Sequence, residues 1–250
     1  MWINRVAIPA AFALAVSGCG VVGAPPTVTA REQLLLAVPG DGEPAYRYEA
    51  SGACPAMSGT IDAPNRLRST TVAEQTPGSG GTVTMTYLAV GRDRPWVRLT
   101  FDAPRDARLI GKPDEWYAVD PTRVQDFERS VLSYYGDPDP LGIEHLIDSA
   151  TTVERTGDGT YGGDLDLTRI AGPHPILPDG GVAALSGAWS VPFTATVGKD
   201  GRLTELVADV PDGACKLTYG GFGATESPKE PAADREHVAP DGLYDLLNVS

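Results

Sequence analysis

Thr82-Val83-Thr84-Met85-Thr86-Tyr87-Leu88-Ala89-Val90 is the stretch that decides the fold. Val83, Met85, Tyr87 and Ala89 fall on one side and Thr82, Thr84 and Thr86 on the other. Successive side chains of a strand point to opposite faces, so strict alternation predicts a β-strand with one buried and one wet face, as in an antiparallel sheet. Outward from this stretch the same period returns. Strands are expected at Tyr46 to Ala50, Arg66 to Ala73, Pro95 to Phe101 and Trp116 to Val119, then at Thr151 to Arg155, Thr160 to Arg169, Ala188 to Val197, Leu203 to Val210 and Ala214 to Tyr219. Trp189, Val191, Phe193, Ala195 and Val197 repeat the alternation without a break. Turn-forming clusters at residues 75–81, 91–94, 157–159, 198–201 and 211–213 have hairpin length.

The period changes once. Asp120-Pro121-Thr122 has the composition of a helix start, and Val124, Phe127, Val131 and Leu132 extend a helical spacing to Gly136. A second helix is expected over Leu141 to Asp148, a short one near Val182 to Leu185, and a last helical turn at Leu243 to Leu247. Strands, then helices, then strands, joined by hairpin-length loops, predict an α+β domain: a single curved antiparallel β-sheet, a half-barrel, with a few helices packed on its concave face.

The N-terminus carries different information. Arg5 precedes the apolar run Val6 to Val16, and Ser17-Gly18 leads into Cys19. A basic n-region, an apolar stretch too short to span a bilayer and small residues before a cysteine resemble a bacterial lipoprotein signal. Residues 1–18 are read as the signal peptide and Cys19 as the acceptor of a diacylglyceryl group, with palmitate among its natural acyl chains. The competing reading is an ordinary secretory signal with a chance cysteine. The uncharged stretch 20–30, with Pro25-Pro26, completes a tether over 19–30 that reaches roughly 35 Å when extended. The domain is assigned to 31–250.

The chain has a formal charge of −13, and loss of Arg5 with the signal takes it to −14. A surface this acidic repels phosphate backbones, which excludes nucleic acid as a partner and leaves the membrane contact to the lipid. Cys54 and Cys215 remain after Cys19 is assigned. In an exported protein they are expected to pair, the alternative being two free buried thiols.

The order of elements resembles the actinobacterial LppX/LprG lipoproteins, which share the LolA-type fold. The segments carrying the resemblance are Gly111 to Asp120, with its Trp116-Tyr117 pair, Thr160 to Leu167, Asp200 to Leu206, and Leu217 to Gly223 followed by Val238-Ala239-Pro240. The resemblance spans nearly the whole mature domain; insertions near residues 75–81 and 171–183 and the cysteine pair depart from it. It implies a hydrophobic, lipid or acylated, ligand held between sheet and helices. The residues expected to line such a cavity are Val83, Met85, Tyr87, Val97, Leu99, Phe101, Trp189, Val191 and Phe193, with Phe127 and Val131. Periodicity permits a filled core made of the same side chains equally well.

Catalytic patterns are missing. His145, His174 and His237 have no ligand spacing for zinc, no Gly-x-Ser-x-Gly elbow occurs, and Gly220-Gly221-Phe222-Gly223 lacks the spacing of a nucleotide loop. Asp137-Pro138-Asp139-Pro140 lacks the calcium-loop pattern and reads as a solvated turn between helices. The expectation is therefore a non-enzymatic envelope lipoprotein with no cofactor and no metal. It either carries or chaperones a hydrophobic ligand, or serves as a sensor or scaffold with a solid core that binds a protein partner.

Overall fold

In the computed structural model, which describes residues 28–75, 82–101, 112–170, 174, 176–177 and 190–248, the alternation read at Thr82 to Val90 extends sideways through one sheet. Twelve strands take part: β1 (Tyr46–Gly52), β2 (Met57–Asp62), β3 (Leu67–Gln75), β4 (Thr82–Val90), β5 (Arg94–Phe101), β6 (Trp116–Ala118), β7 (Ala150–Gly157), β8 (Thr160–Asp166), β9 (Ser190–Val197), β10 (Leu203–Val210), β11 (Gly213–Gly220) and β12 (Glu236–Val238). Their order is β12-β6-β5-β4-β3-β2-β1-β11-β10-β9-β8-β7, so the sheet is open at β12 and β7, and it is curved. All neighbours are antiparallel except β12 and β6. Three α-helices are described: α1 (Ala30–Leu35), α2 (Ile143–Ser149) and α3 (Asp241–Leu247). None of the described helices is long and apolar enough to cross a membrane.

Two meanders build the sheet. β1 to β6 step one way, β7 to β11 return from the far edge, and β1 meets β11 at the seam, Arg47 opposite Gly220 through Gly52 opposite Cys215. Cys54 and Cys215 are disulfide-bonded there, closing a sequence separation of 161 residues.

The connection from β6 to β7 must cross the width of the sheet, and it does so over the inner face. Val124, Phe127 and Leu132 join a cluster with Val83, Met85, Val97 and Leu99, while Tyr134, Leu141, Ile143, Leu146 and Ile147 join another with Tyr46, Leu165, Val191 and Phe193. That span explains one correction. The helix expected from residue 121 to 132 is two 3-10 turns, Pro121–Arg123 and Phe127–Arg129, separated by Val124 in extended and Asp126 in left-handed conformation (φ 49°). A helix advances about 1.5 Å per residue against about 3.3 Å for extended chain, so the crossing is made with far less helix than the apolar spacing predicts.

Other elements also differ. β2 alternates too weakly to be read, because Gly59 sits where an apolar residue is expected; a Cβ there would lie 2.4 Å from the Tyr48 ring that occupies the place. Helix α1 is set by a capping box, Thr29 with Glu32, a signal present in Thr-x-x-Glu. β8 stops at Asp166, whose carboxylate accepts from Thr168 N–H and starts a 3-10 turn over Leu167–Arg169. The face expected to be wet is dry at Thr86, Leu88 and Trp96; Arg94 lies over the Trp96 ring (5.3 Å) and pairs with Glu230 of the polar tail (2.5 Å). The same tail is tied to β2 by Ser227 and Asp62 before it adds β12 to the edge.

Candidate functional site

The expected lining residues divide between the two clusters. Val83, Met85, Tyr87, Val97, Leu99 and Phe127 are buried together, with Phe101 and Val131 partly buried against them. Val191 and Phe193 belong to the other cluster, beneath β9. Trp189 and Cys19 lie outside the described residues, as do the expected helix near 182–185 and most of the two insertions.

A cleft of about 320 Å³ opens against the first of these groups, between Tyr87 of β4, the crossing segment and the end of α3. Val124, Val131, Leu132 and Leu247 supply its apolar wall; Gln125, Asp126 and Ser130 give it a polar rim. The polar residues are illegible in a search for apolar periodicity, since an irregular crossing places them.

Helix α3 closes one side. Leu243 is fully buried and Tyr244 nearly so. The Tyr244 hydroxyl accepts from Asp120 N–H (2.9 Å), Arg123 stacks on its ring (3.7 Å) and pairs with Asp241 (2.7 Å), and Asn248 Oδ1 accepts from Gln125 N–H (2.7 Å). These contacts fasten the helix to the segment that frames the cleft.

Where the two clusters meet, the interior is polar. Arg68 of β3 donates through Nη2 to the carbonyls of Val131 (2.5 Å) and Ser133 (3.0 Å) and lies over the Tyr134 ring (5.1 Å). Tyr48 and Thr70 share a hydrogen bond of 2.5 Å. Burial pulls the Arg68 guanidinium below the ordinary arginine range and pushes the Tyr48 and Tyr134 hydroxyls above that of tyrosine. Thr70 faces Tyr87 across β3 and β4, with Arg68 further along the same inner row.

Asp137-Pro138-Asp139-Pro140 is a solvated turn only in part: Asp137 is exposed, but Asp139 is buried. Asp139 is 7% exposed, accepts from the Tyr219 hydroxyl and, through its other oxygen, from Glu144 N–H (2.8 Å); Tyr46 donates to the Pro138 carbonyl. The sequence pattern misled because a carboxylate can be buried once its oxygens have donors, and one of the two, the Tyr219 hydroxyl, comes from a strand 80 residues away. Burial, followed by the Asp139 charge, pushes the Tyr219 hydroxyl well up, so it is a protonated donor.

His174 hydrogen-bonds Gly142 O through Nε2 (3.1 Å), His237 faces Glu115 (3.0 Å) and His145 is exposed. Among the described residues no three His, Cys, Asp or Glu side chains converge as metal ligands would.

No family model matches the sequence, and no curated protein does. Among solved structures, the chain is similar to LprF from Mycobacterium bovis, at 16% identity and a TM-score of 0.45, over 82% of this chain and 97% of that one. It is also similar to the Mycobacterium tuberculosis lipoprotein LppX, at 14% identity and a TM-score of 0.40, over 79% and 94% of the two chains. Both are mycobacterial lipoproteins of the LppX/LprG kind that the order of sequence segments resembles.

Proposed function

We propose that this chain is an extracytoplasmic lipoprotein, held to the cell membrane through Cys19, that binds a hydrophobic or acylated ligand between sheet and crossing segment as a carrier or chaperone. The observation that carries the proposal is the cleft, with Tyr87, Val131, Leu132 and Leu247 as an apolar wall beneath a polar rim. Its size stands at the lower end of the roughly 300–1,000 Å³ typical of small-molecule sites. An acyl chain suits the wall and a polar head suits the rim. The Cys54–Cys215 bond supports an oxidising compartment outside the cytoplasm, in keeping with a signal peptide over 1–18 and a lipidated tether before the domain. Ligand entry needs no catalytic group, and the reading assigns none.

Native mass spectrometry with lipid extraction, on the secreted chain from residue 25 onward purified without detergent, tests the proposal. Bound acyl ligand is the expected result. A clean apo mass with no uptake of added fatty acid would overturn it. That outcome would favour the second reading, a sensor or scaffold that binds an envelope protein, for which the tightly filled cluster around Leu141, Ile143, Leu146 and Leu165 is the supporting observation.

A further inference from the structure

Helix α3 occupies part of the inner face that an acyl ligand needs. Leu243 is fully buried in the cluster of Val83, Met85, Val97 and Leu99, and Leu247, partly buried against the same cluster, is also a wall of the cleft. The cleft holds about 320 Å³. A methylene takes up about as much room as a water molecule, roughly 30 Å³, so a chain of about eight carbons needs on the order of 240 Å³ and one of about sixteen on the order of 500 Å³. The shorter chain fits and the longer does not. By the same allowance the shortfall is about what one or two leucine side chains occupy.

Side chains hold the helix in place. The bond from Ala239 N–H to Ala118 O (3.2 Å) is the last backbone hydrogen bond between the tail and the sheet among the described residues. Beyond it, Asp241, Tyr244 and Asn248 make the polar contacts, all of them to residues 120–125, and the Arg123–Asp241 pair stands in solvent. A helix of seven residues does not persist once it leaves its seat. We infer that the acyl site continues into the seat of α3, and that a long-chain ligand takes the place of the helix, so that α3 sets the longest chain held without displacement. This inference rests on the ligand-binding reading above and adds a chain-length class and a gate to it. The exchange replaces one apolar filler by another against Val83, Met85, Val97 and Leu99, which leaves no void behind. The polar groups that fasten α3 return to water, where exposed pairs such as Arg123 with Asp241 lose little.

The test uses the full lipidated chain in phosphatidylcholine nanodiscs, with octanoate and palmitate each carrying a diazirine at the chain end. Crosslinking to the protein reports occupancy independently of partition into the bilayer, and amide exchange over 241–248 reports the state of α3. Octanoate should label residues 124–132 and not raise that exchange. Palmitate should label residues 95–101 as well and raise the exchange about fivefold or more. Arg123→Ala removes a fastening of α3 and leaves the cleft wall intact; by populating the released helix it should lower the apparent Kd for palmitate about threefold and leave that for octanoate unchanged. Palmitate labelling with exchange over 241–248 unchanged or slowed leaves the cleft standing and overturns the displacement, as does an Arg123→Ala chain that binds palmitate no better. Labelling by neither acid removes the cleft reading, and the displacement with it.

Discussion

Breaking the Cys54–Cys215 bond should cost this domain on the order of 5 kcal/mol, through the unfolded chain more than through the folded one. The bond spans 161 residues, and the loop-closure relation gives about 17 cal/mol/K for a loop of that length, about 5 kcal/mol at 25 °C. In the fold the bond does little positioning, because Gly52 and Cys215 are already opposite one another in the β1–β11 ladder. Replacing both cysteines by alanine removes two buried sulfurs, Cys54 at 7% and Cys215 at 0% exposure, for roughly 1 kcal/mol more. Equilibrium urea unfolding of the oxidised chain and the double variant measures the difference. The m-value should rise in the variant, since an uncrosslinked chain exposes more surface when it unfolds, and the loss should appear largely in the folding rate. A loss under 1 kcal/mol, or a loss with unchanged m carried wholly by faster unfolding, would refute the unfolded-state argument.

Leu243→Ala should release α3 from the cluster of Val83, Met85 and Leu99 at a cost of about 2–5 kcal/mol, because Leu243 is fully buried there; amide exchange over 241–248 should accelerate while β10 and β11 keep their protection. Gly142→Ala should destabilise by about 1–3 kcal/mol, since Gly142 has φ 66° and a Cβ would stand 2.6 Å from His174 Nε2; thermal melts of the single and His174→Ala double variants should show that removing the imidazole recovers the steric part alone. Burial holds the His174 imidazole below the ordinary histidine range, with Nδ1 accepting from Ile176 N–H at 3.2 Å. The folded state therefore favours the neutral ring: its contribution is complete above pH about 6.5 and is lost as pH falls through the folded-state pKa. Melting temperature against pH, for the natural chain and His174→Gln, should diverge with acidity in that direction; parallel curves would exclude the effect.

Much of the sheet is legible because hairpins are local. A strand such as Thr82 to Val90 declares its buried face by alternation, and a short Gly/Asp turn leaves its neighbour few registers. Polar or very short elements escape that reading: β2, with Gly59 beneath Tyr48, and the three residues of β12 have no pattern of their own. The segment from Asp120 to Leu132 shows why spacing alone misleads, since a helical period in four apolar residues is outweighed by the distance the chain must cross.

The site was less legible than the fold. Tyr87 and Val131 do face the cleft, and most other candidates pack behind them, but Val191 and Phe193 sit in the other cluster and no apolar search could have found Gln125, Asp126 or Ser130. Arg68 occupies an inward position in Leu67-Arg-Ser-Thr-Thr-Val-Ala73, where nothing in the order of residues distinguishes the two faces. By itself the sequence determined most strands, their alternation and most turns, which depend on contacts within a few residues, and, from its cysteine count, the two cysteines free to pair. Tertiary structure alone decided that β1 and β11 form the seam, that the apolar residues gather in two groups, and that Arg68 lies between them, held by the carbonyls of Val131 and Ser133. Those outcomes depend on which distant segments the curvature of the sheet brings together.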